Sequence, residues 1–284
     1  MVVELARHDA GPTRQLDAEA AADVLWAHGA AAIEEQERDG RTILLGGFEV
    51  PDAAATAAAA VGGAGRDVLV RPVLDDGADA WRPHAGVVRA GPFVLVPAWL
   101  EVPAVDPEER VLRLDPDRTF GSGSHPTTRL VLQCLDRLDG RGAVAGRSVL
   151  DVGTGSGVLA VAARMLGAAP VVAIDVDPGA PAATDANARR NGVDGIESST
   201  TALHEVIATT GGRSPFDLVL ANLLAPVVAE LAPDLVAATG PRGRLVVSGL
   251  LEDRWPASTD RLAPLVVEEV LATDGWVAVV LRHP

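Results

Sequence analysis

The sequence predicts an α/β protein in which a seven-stranded, Rossmann-like sheet follows a small α+β domain. From about residue 148 onward, short hydrophobic runs alternate with helical patterns, as in a largely parallel sheet. A glycine-rich turn, Gly153-Thr-Gly155-Ser-Gly157, lies between the first of these runs and a helix. Such turns bring the backbone close to a nucleotide-like ligand at the carboxyl end of a strand.

The composition limits the classes of partner. The 284 residues are 48% hydrophobic, which suffices for one sizeable domain and a smaller one. The formal net charge is −15, and all 24 basic residues are arginine. Because nucleic acid binding needs clustered positive charge, we expect no direct nucleic-acid contact, whereas a basic protein partner is compatible with the charge.

The sequence shows no pattern of a membrane span, a signal peptide, a disulfide framework or a metal site. No apolar run reaches the ~18 residues that span a bilayer, and the N-terminus lacks the pattern of a signal peptide. The single cysteine, Cys134, excludes an internal disulfide. The six histidines lack the spacing of metal ligands. We therefore expect a cytoplasmic, metal-free protein with no membrane partner, most simply a monomer.

Residues 1–73 are predicted to form a ferredoxin-like domain with the order βαββαβ. The predicted elements are a strand at Val2–Arg7, a helix at Leu16–His28, a hairpin of Ala31–Gln36 and Arg41–Phe48 around Asp39-Gly40, an alanine-rich helix after Pro51 and a strand at Asp67–Val73. Such units serve as recognition modules, dimerisation domains or packing elements. We interpret this one as the substrate-recognition domain.

Residues 74–109 are interpreted as a linker and packing segment, with a hairpin of Val87–Ala90 and Phe93–Val96. The catalytic domain, 110–284, then begins with a strand at Val111–Leu114. A loop rich in glycine and serine leads to a helix at Thr127–Leu138, where Cys134 belongs to an apolar stripe. Hydroxyls and free N–H groups at this helix start suit a ligand carboxylate.

The remaining pattern comprises five β/α units closed by a hairpin. The predicted strands are Ser148–Val152, Pro170–Ile174, Ile196–Thr200, Phe216–Ala221 and Arg244–Ser248, the helices begin near Gly157, Pro178, Ala202 and Pro226, and the hairpin joins Val266–Ala272 to Trp276–Leu281. This architecture is typical of class I methyltransferases.

The chemistry of the glycine turn favours the same class. Asp175 ends the second strand, twenty-two positions after Gly153, where a carboxylate accepts both ribose hydroxyls. The spacing G-x-G-x-G is that of an S-adenosylmethionine turn, whereas a dinucleotide fold has G-x-G-x-x-G. A nicotinamide-dependent oxidoreductase is the alternative enzyme class, and a non-catalytic cofactor-binding module is a third hypothesis.

From about Trp81 onward the chain resembles the PrmA family, bacterial methyltransferases of the eleventh large-subunit ribosomal protein. The stretches that carry the resemblance are Thr119-Phe-Gly-Ser-Gly-Ser-His-Pro-Thr-Thr128, Asp151-Val-Gly-Thr-Gly-Ser-Gly157, Ile174-Asp-Val-Asp-Pro178, Asn187-Ala-Arg-Arg-Asn-Gly192 and Ala221-Asn-Leu-Leu-Ala225. The N-terminal module matches this family only in its predicted element order.

The resemblance implies S-adenosylmethionine as cofactor and N-methylation of α-amino or lysine ε-amino groups on a basic ribosomal protein. It implies that Asn222 lies beside the transferred methyl as the catalytic residue, although a plain helix cap is the structural alternative. The candidate cofactor-binding residues are Phe120, Gly121, Thr128, Gly153, Gly155, Asp175 and Asn222. Another basic protein or a small amine is the alternative substrate.

Overall fold

The structure is a computed structural model that describes residues 2–7, 21–22, 24–25, 27–30, 32–38, 41–48, 50–62, 66–71, 85–115, 123–209 and 216–284. The chain divides into two compact units, Met1–Trp81 and Arg82–Pro284. Each unit has its own sheet and its own buried core.

The first unit contains a four-stranded antiparallel sheet with the ferredoxin-like order β2-β3-β1-β4. Its elements are β1 (Val2–Arg7), β2 (Ala32–Arg38), β3 (Arg41–Gly47), α1 (Pro51–Val61) and β4 (Arg66–Arg71). Ala54, Ala57 and Val61 lie on one face of α1 and pack with Val3 and Phe48 in the core. The predicted helix Leu16–His28 and the turn Asp39-Gly40 lie partly or wholly outside the described residues, of which 21–22, 24–25 and 27 are helical.

The second unit is built on a seven-stranded sheet, which confirms the predicted fold class. The strands are β8 (Val149–Val152), β9 (Val171–Ile174), β10 (Ile196–Ser199), β11 (Phe216–Asn222), β12 (Thr239–Leu251), β13 (Val266–Thr273) and β14 (Trp276–Arg282). They lie in the order β10-β9-β8-β11-β12-β14-β13, in which β14 pairs antiparallel with both β12 and β13 and the other neighbours pair parallel. The helices are α2 (Pro126–Asp139), α3 (Val158–Met165), α4 (Ala180–Arg190), α5 (Leu203–Thr209), α6 (Ala225–Ala238) and α7 (Trp255–Thr259), and a 3₁₀ turn covers Asp260–Leu262.

The central strands of this sheet are buried on both faces because their side chains alternate between two hydrophobic clusters. In β11, Leu218 and Leu220 pack in the cluster that contains Leu130 of α2, whereas Val219 packs in the cluster that contains Leu235 of α6. Cys134 is buried in the first cluster, as its position on the apolar stripe predicts.

A separate three-stranded sheet contains β5 (Val88–Ala90), β6 (Phe93–Pro97) and β7 (Arg110–Leu114). β7 pairs parallel to β6, so the strand predicted at Val111–Leu114 does not join the seven-stranded sheet. The buried side chains of this sheet include Phe93, Leu112 and Leu114, which pack in the same hydrophobic core as α2. Among the described residues, no helix combines the length and hydropathy needed to cross a bilayer.

Candidate active site

Three parallel strands of the large sheet end side by side. Val152 of β8 pairs with Ile174 of β9 and with Ala221 of β11. Because parallel strands share one carboxyl edge, the residues that follow these strand ends occupy that edge together. These residues are Gly153, Asp175 and Asn222.

The glycine turn is fastened to β9 and needs glycine at its first position. The Gly153 N–H donates to the Ile174 carbonyl (2.8 Å), and Gly153 adopts a φ of 72°. A Cβ at Gly153 would lie 2.4 Å from Cδ2 of Leu223, which is far inside van der Waals contact. The turn therefore packs against the Leu223 side chain more closely than any residue with a Cβ would allow.

Asp175 is held in place by two backbone N–H groups. The Gly155 N–H donates to Oδ2 (2.7 Å), and the Asp177 N–H donates to Oδ1 (3.0 Å). A carboxylate offers about four lone-pair positions, so each oxygen keeps capacity for one further donor. The arrangement suits a pair of neighbouring hydroxyls, as in a ribose.

Asp151 lies beneath the turn and is completely buried. Its Oδ2 accepts hydrogen bonds from the Thr154 hydroxyl (2.7 Å) and the Ala160 N–H (3.2 Å), whereas Oδ1 has no partner among the described residues. Burial raises the pKa of this carboxyl to about 7, partly offset by the two hydrogen bonds, and the charge of Asp175 adds to the increase. Asp151 therefore ties the glycine turn to the first turn of α3.

Asn222 ends β11 and contacts the start of α2. Its Nδ2 donates to the hydroxyl of Thr128 (3.3 Å), ninety-four residues earlier in the chain. The Leu223 N–H donates to the Ser248 carbonyl of β12 (3.0 Å), which fixes the chain just after Asn222. The side-chain amide is thus positioned from two directions.

A β-bulge shapes the neighbouring strand end. The β12–β14 register shifts between Ser248 and Leu250, which leaves Gly249 unpaired with a φ of 86°. A Cβ at Gly249 would lie 2.2 Å from the Leu223 carbonyl oxygen. Leu223 is therefore enclosed between Gly153 and Gly249.

These groups surround a cavity of about 650 Å³, within the roughly 300–1,000 Å³ of small-molecule sites. Four of the predicted site residues line it: Gly153, Gly155, Asp175 and Asn222. Phe120 and Gly121 lie outside the described residues. The cavity wall is mostly apolar, with Ile174, Val176 and Leu203 among its members.

Thr128 is the one predicted site residue, among those that the structure describes, whose side chain is buried outside the cavity wall. It does not line the cavity and is only 1% exposed, because its position in the first turn of α2 directs the side chain toward the sheet. Its neighbour Thr127 lines the cavity instead. The structure thus connects Thr128 to the site through Asn222.

His125 caps α2. Its Nδ1 accepts a hydrogen bond from the Thr127 N–H (3.4 Å) and lies 2.8 Å from the Thr127 hydroxyl. Its ring also packs edge-on against Trp276, with ring centroids 5.1 Å apart. Both rings line the cavity, on the side of β12 and β14.

Sequence reasoning missed several residues of the cavity wall. They are Thr201, Ala202, Leu203 and His204 after β10, Val227, Leu231 and Asp234 on α6, and Gly249 and Trp276. Gly249 had a usable signal, since a glycine directly follows the predicted strand Arg244–Ser248 at the same sheet edge. The one-sided spacing of 227, 231 and 234 reads only as a core face. Among the described residues, no His, Cys, Asp and Glu side chains group as a metal site would require.

Comparison with known proteins identifies the family. The family model described as "Ribosomal protein L11 methyltransferase (PrmA)" matches residues 72–284. Two proteins named ribosomal protein L11 methyltransferase are similar: that of Symbiobacterium thermophilum is 41% identical over 213 residues and that of Syntrophotalea carbinolica 43% over 211. These matches cover 74% and 73% of this chain and 66% of each relative, so the chain spans just under two thirds of their length.

A solved structure agrees with these matches. The crystal structure of ribosomal protein L11 methylase from Lactobacillus delbrueckii subsp. bulgaricus superimposes with a TM-score of 0.61 at 31% identity, covering 70% of this chain and all of that one. The seven-stranded sheet, with the glycine turn at the carboxyl end of β8, is the fold expected from the sequence resemblance. The chain therefore belongs to the ribosomal protein L11 methyltransferase (PrmA) family.

Proposed function

We propose that this protein methylates amino groups, the α-amine or lysine ε-amines, of ribosomal protein L11, with S-adenosylmethionine as methyl donor. Membership of the family supports the reaction class. The observation that carries the proposal is that a neutral amide, Asn222, and a carboxylate, Asp175, line one cavity beside the glycine turn. A nicotinamide-dependent reaction has no comparable support.

The residues fit the cofactor that the family uses. Asp175 retains hydrogen-bonding capacity on both oxygens for the ribose hydroxyls. The glycine turn, where Gly153 has no room for a Cβ, would let the backbone pass beneath the methionine portion. The apolar wall of Ile174, Val176 and Leu203 would pack against the adenine. When bound, the cofactor supplies an electrophilic methyl group on a sulfonium.

The substrate amine must then enter the site in its uncharged form. A lysine amine has a reference pKa of about 10.4, so its deprotonation at pH 7 costs about 4.6 kcal/mol, whereas an α-amine costs about 1 kcal/mol. Asn222 is neutral and does not favour the ammonium form as a carboxylate would. Water accepts the proton before the amine docks, so the site needs no dedicated base.

Asn222 orients the amine. Because Nδ2 donates to Thr128, Oδ1 is the amide atom available to accept an N–H from the amine. That hydrogen bond directs the nitrogen lone pair away from Asn222 and into the cavity. Most of the rate enhancement then comes from positioning.

We further propose that the N-terminal unit recognises the substrate, with the catalytic domain starting near residue 110. The family match begins at residue 72, so the role of the first unit rests on its ferredoxin-like order and on the acidity of the chain. A net charge of −15 favours encounter with a basic ribosomal protein over contact with RNA. The ribosomal substrate would place the enzyme's action in the cytoplasm, where we propose that it acts as a monomer.

The test uses L11 purified from cells that lack this gene, so that its amines are unmethylated. The unchanged protein should transfer label from radioactive S-adenosylmethionine to L11, and Asn222→Ala should lose most of that transfer while still binding S-adenosylhomocysteine. Equal labelling by both proteins would refute the role of Asn222. If the unchanged protein labels no ribosomal protein but does label small amines, the substrate class is wrong.

A further inference from the structure

We propose that Asn187 is a positioning residue of the cavity: its buried side-chain amide ties the glycine turn to the end of β7 and thereby keeps the Gly155 N–H on the carboxylate of Asp175. The inference deepens the proposed function and rests on it for the identity of the ligand in the cavity. Asn187 does not line the cavity itself, so its effect on the ligand passes through the turn.

The first support is that all four hydrogen-bonding positions of the Asn187 amide are used. Nδ2 donates to the Ser156 carbonyl (2.8 Å) and to the Asp115 carbonyl (2.9 Å). Oδ1 accepts from the Asp115 N–H (3.0 Å) and from Nη1 of Arg190 (2.6 Å). Carbonyls only accept, and backbone N–H and guanidinium groups only donate, so these partners allow a single orientation of the amide.

The second support is that the amide connects the turn to a well-packed strand. Asn187 is completely buried, and Leu114 of β7 is 1% exposed. The bonds of Asn187 to the N–H and the carbonyl of Asp115 extend the edge of β7 as a further strand would. Asn191, which directly follows α4, pairs in the same way with the N–H and the carbonyl of Arg113 (both 2.8 Å). The end of α4 is thus fixed to β7 at two alternate residues.

The third support is that α4 packs directly against the glycine turn. Gly157, the last glycine of the turn, adopts a φ of 81°. A Cβ at this position would lie 2.8 Å from Cα of Thr184. Thr184 precedes Asn187 by three residues and therefore lies on the same face of α4. This face contacts the turn on one side and β7 on the other.

The hydrogen bond to Ser156 links this packing to the cavity. The first half of the turn is fastened to β9, because the N–H groups of Gly153 and Thr154 both donate to the Ile174 carbonyl. Asn187 supplies the bond from α4 to the second half, at Ser156. Gly155 directly precedes Ser156, and its N–H donates to Asp175. A displacement of the Ser156 carbonyl therefore moves the donor that orients the cavity carboxylate.

The binding test compares Asn187→Ala with Asn191→Ala. Both changes remove an amide that bonds the main chain of β7 from the end of α4, but only Asn187 bonds the turn. We expect Asn187→Ala to raise the Kd for S-adenosylhomocysteine by about tenfold, whereas Asn191→Ala changes it by less than about twofold. Calorimetry measures the Kd at a temperature where circular dichroism shows both variants to be folded. Equal Kd values for the two variants would refute the proposal.

A second pair of variants allows for a folding defect at the buried position. Asn187→Asp keeps the size of the side chain and an acceptor for the Asp115 N–H, but an ionised carboxylate has no donor for the Ser156 carbonyl. Asn191→Asp loses its donors in the same way without affecting a bond to the turn. We expect the same ranking of Kd values, and this pair decides the outcome if Asn187→Ala does not fold.

A spectroscopic measurement distinguishes positioning of the turn from a general loss of stability. In isotope-labelled, ligand-free protein, the Gly155 N–H should exchange slowly with solvent because it donates to Asp175 (2.7 Å). We expect Asn187→Ala to reduce this protection more than it reduces the protection of the amides of β11, and Asn191→Ala to reduce both equally. Equal losses at Gly155 and in β11 in Asn187→Ala would show a merely structural role and overturn the proposal.

The outcomes separate this inference from the proposed function. If the unchanged protein labels L11 but the variants of Asn187 and Asn191 bind S-adenosylhomocysteine equally, the proposed function stands and the positioning role fails. If Asn187→Ala selectively weakens that binding but the unchanged protein labels no L11, the positioning role stands and the proposed substrate fails. If the unchanged protein does not bind S-adenosylhomocysteine, the proposed function fails and the exchange of the Gly155 N–H decides the positioning role.

Discussion

At the scale of the residue, the site depends on two carboxylates, Asp175 and Asp151, which accept backbone N–H groups but have different roles. Asp175 lies at the cavity wall, where the N–H groups of Gly155 and Asp177 orient both of its oxygens. Asp151 is sealed beneath the turn and holds Thr154 and Ala160 together. Asp175 thus faces the cavity, whereas Asp151 stabilises the glycine turn, whose Gly155 N–H holds Asp175.

Replacement of Asp175 tests the ligand-facing carboxylate. Asp175→Ala would remove the two charge-assisted hydrogen bonds that we propose to the ribose hydroxyls, each worth about 1.5–3 kcal/mol, so the Kd for S-adenosylhomocysteine should rise by at least tenfold. Titration calorimetry measures the change. Asp185→Ala is the control, because Asp185 lies on α4, bonds Ser198 and does not line the cavity. Equal affinities for all three proteins would remove Asp175 from the site.

The buried Asp151 predicts a pH dependence of stability. Its pKa is raised in the folded state to about 7, from a usual value of 3.8, so the folded protein binds more protons than the unfolded chain between these values. The free energy of unfolding therefore falls as pH rises through this window, by on the order of 2–3 kcal/mol between pH 5 and pH 8 from this residue. In Asp151→Asn, the amide still accepts from Thr154 but does not titrate. Urea unfolding should show a flatter pH profile for this variant than for the unchanged protein, and identical profiles would contradict the assignment.

At the scale of the element, the decisive feature is how closely the end of β11 approaches its neighbours. Gly153 at the start of the turn and Gly249 in the bulge of β12 leave space for Leu223 between them. Both glycines adopt positive φ values, and a Cβ at either one would meet Leu223. Leu223 is thus held in place directly after Asn222, and both residues line the cavity.

A pair of glycine variants separates this close approach from backbone strain alone. Gly249 and Gly275 have similar φ values of 86° and 77°, but a Cβ at Gly275 has no neighbour within 4 Å, whereas one at Gly249 would strike the Leu223 carbonyl. We expect Gly275→Ala to cost about 1 kcal/mol of stability, and Gly249→Ala to cost more and also to weaken S-adenosylhomocysteine binding. Thermal unfolding and calorimetry measure both. Equal effects of the two changes would show that the contact is unimportant.

These elements also show which features of the fold and of the site can be predicted from the sequence and which cannot. The short hydrophobic runs that become strands, such as β11, and the glycine pattern of the turn depend on local spacing, so the sheet, the turn and the strand-end positions of Gly153, Asp175 and Asn222 were predictable. The pairing of β7 with β6, the bulge at Gly249 and the orientation of Thr128 depend on contacts between residues far apart in the sequence. A helix start places two adjacent threonines on different sides, and only the packed sheet decides that Thr127, and not Thr128, faces the cavity.

At the scale of the whole molecule, two compact units share the work that we propose. Arg82–Pro284 contains the cavity and nearly all of the residues that the family model matches. Met1–Trp81 contains the ferredoxin-like sheet, which we assign to substrate recognition. The net charge of −15 belongs to the chain as a whole and favours a basic protein substrate.

The most direct test of this account is the intact mass of ribosomal protein L11 from cells that lack this gene, complemented either by the unchanged gene or by one carrying Asn222→Ala. We predict that L11 from the deletion strain is lighter by whole methyl groups than L11 from cells that carry the unchanged gene. The unchanged gene should restore the mass, and Asn222→Ala should leave L11 largely unmethylated. An L11 mass that is the same with and without the gene would contradict the central claim that this site delivers methyl groups to the amines of that protein.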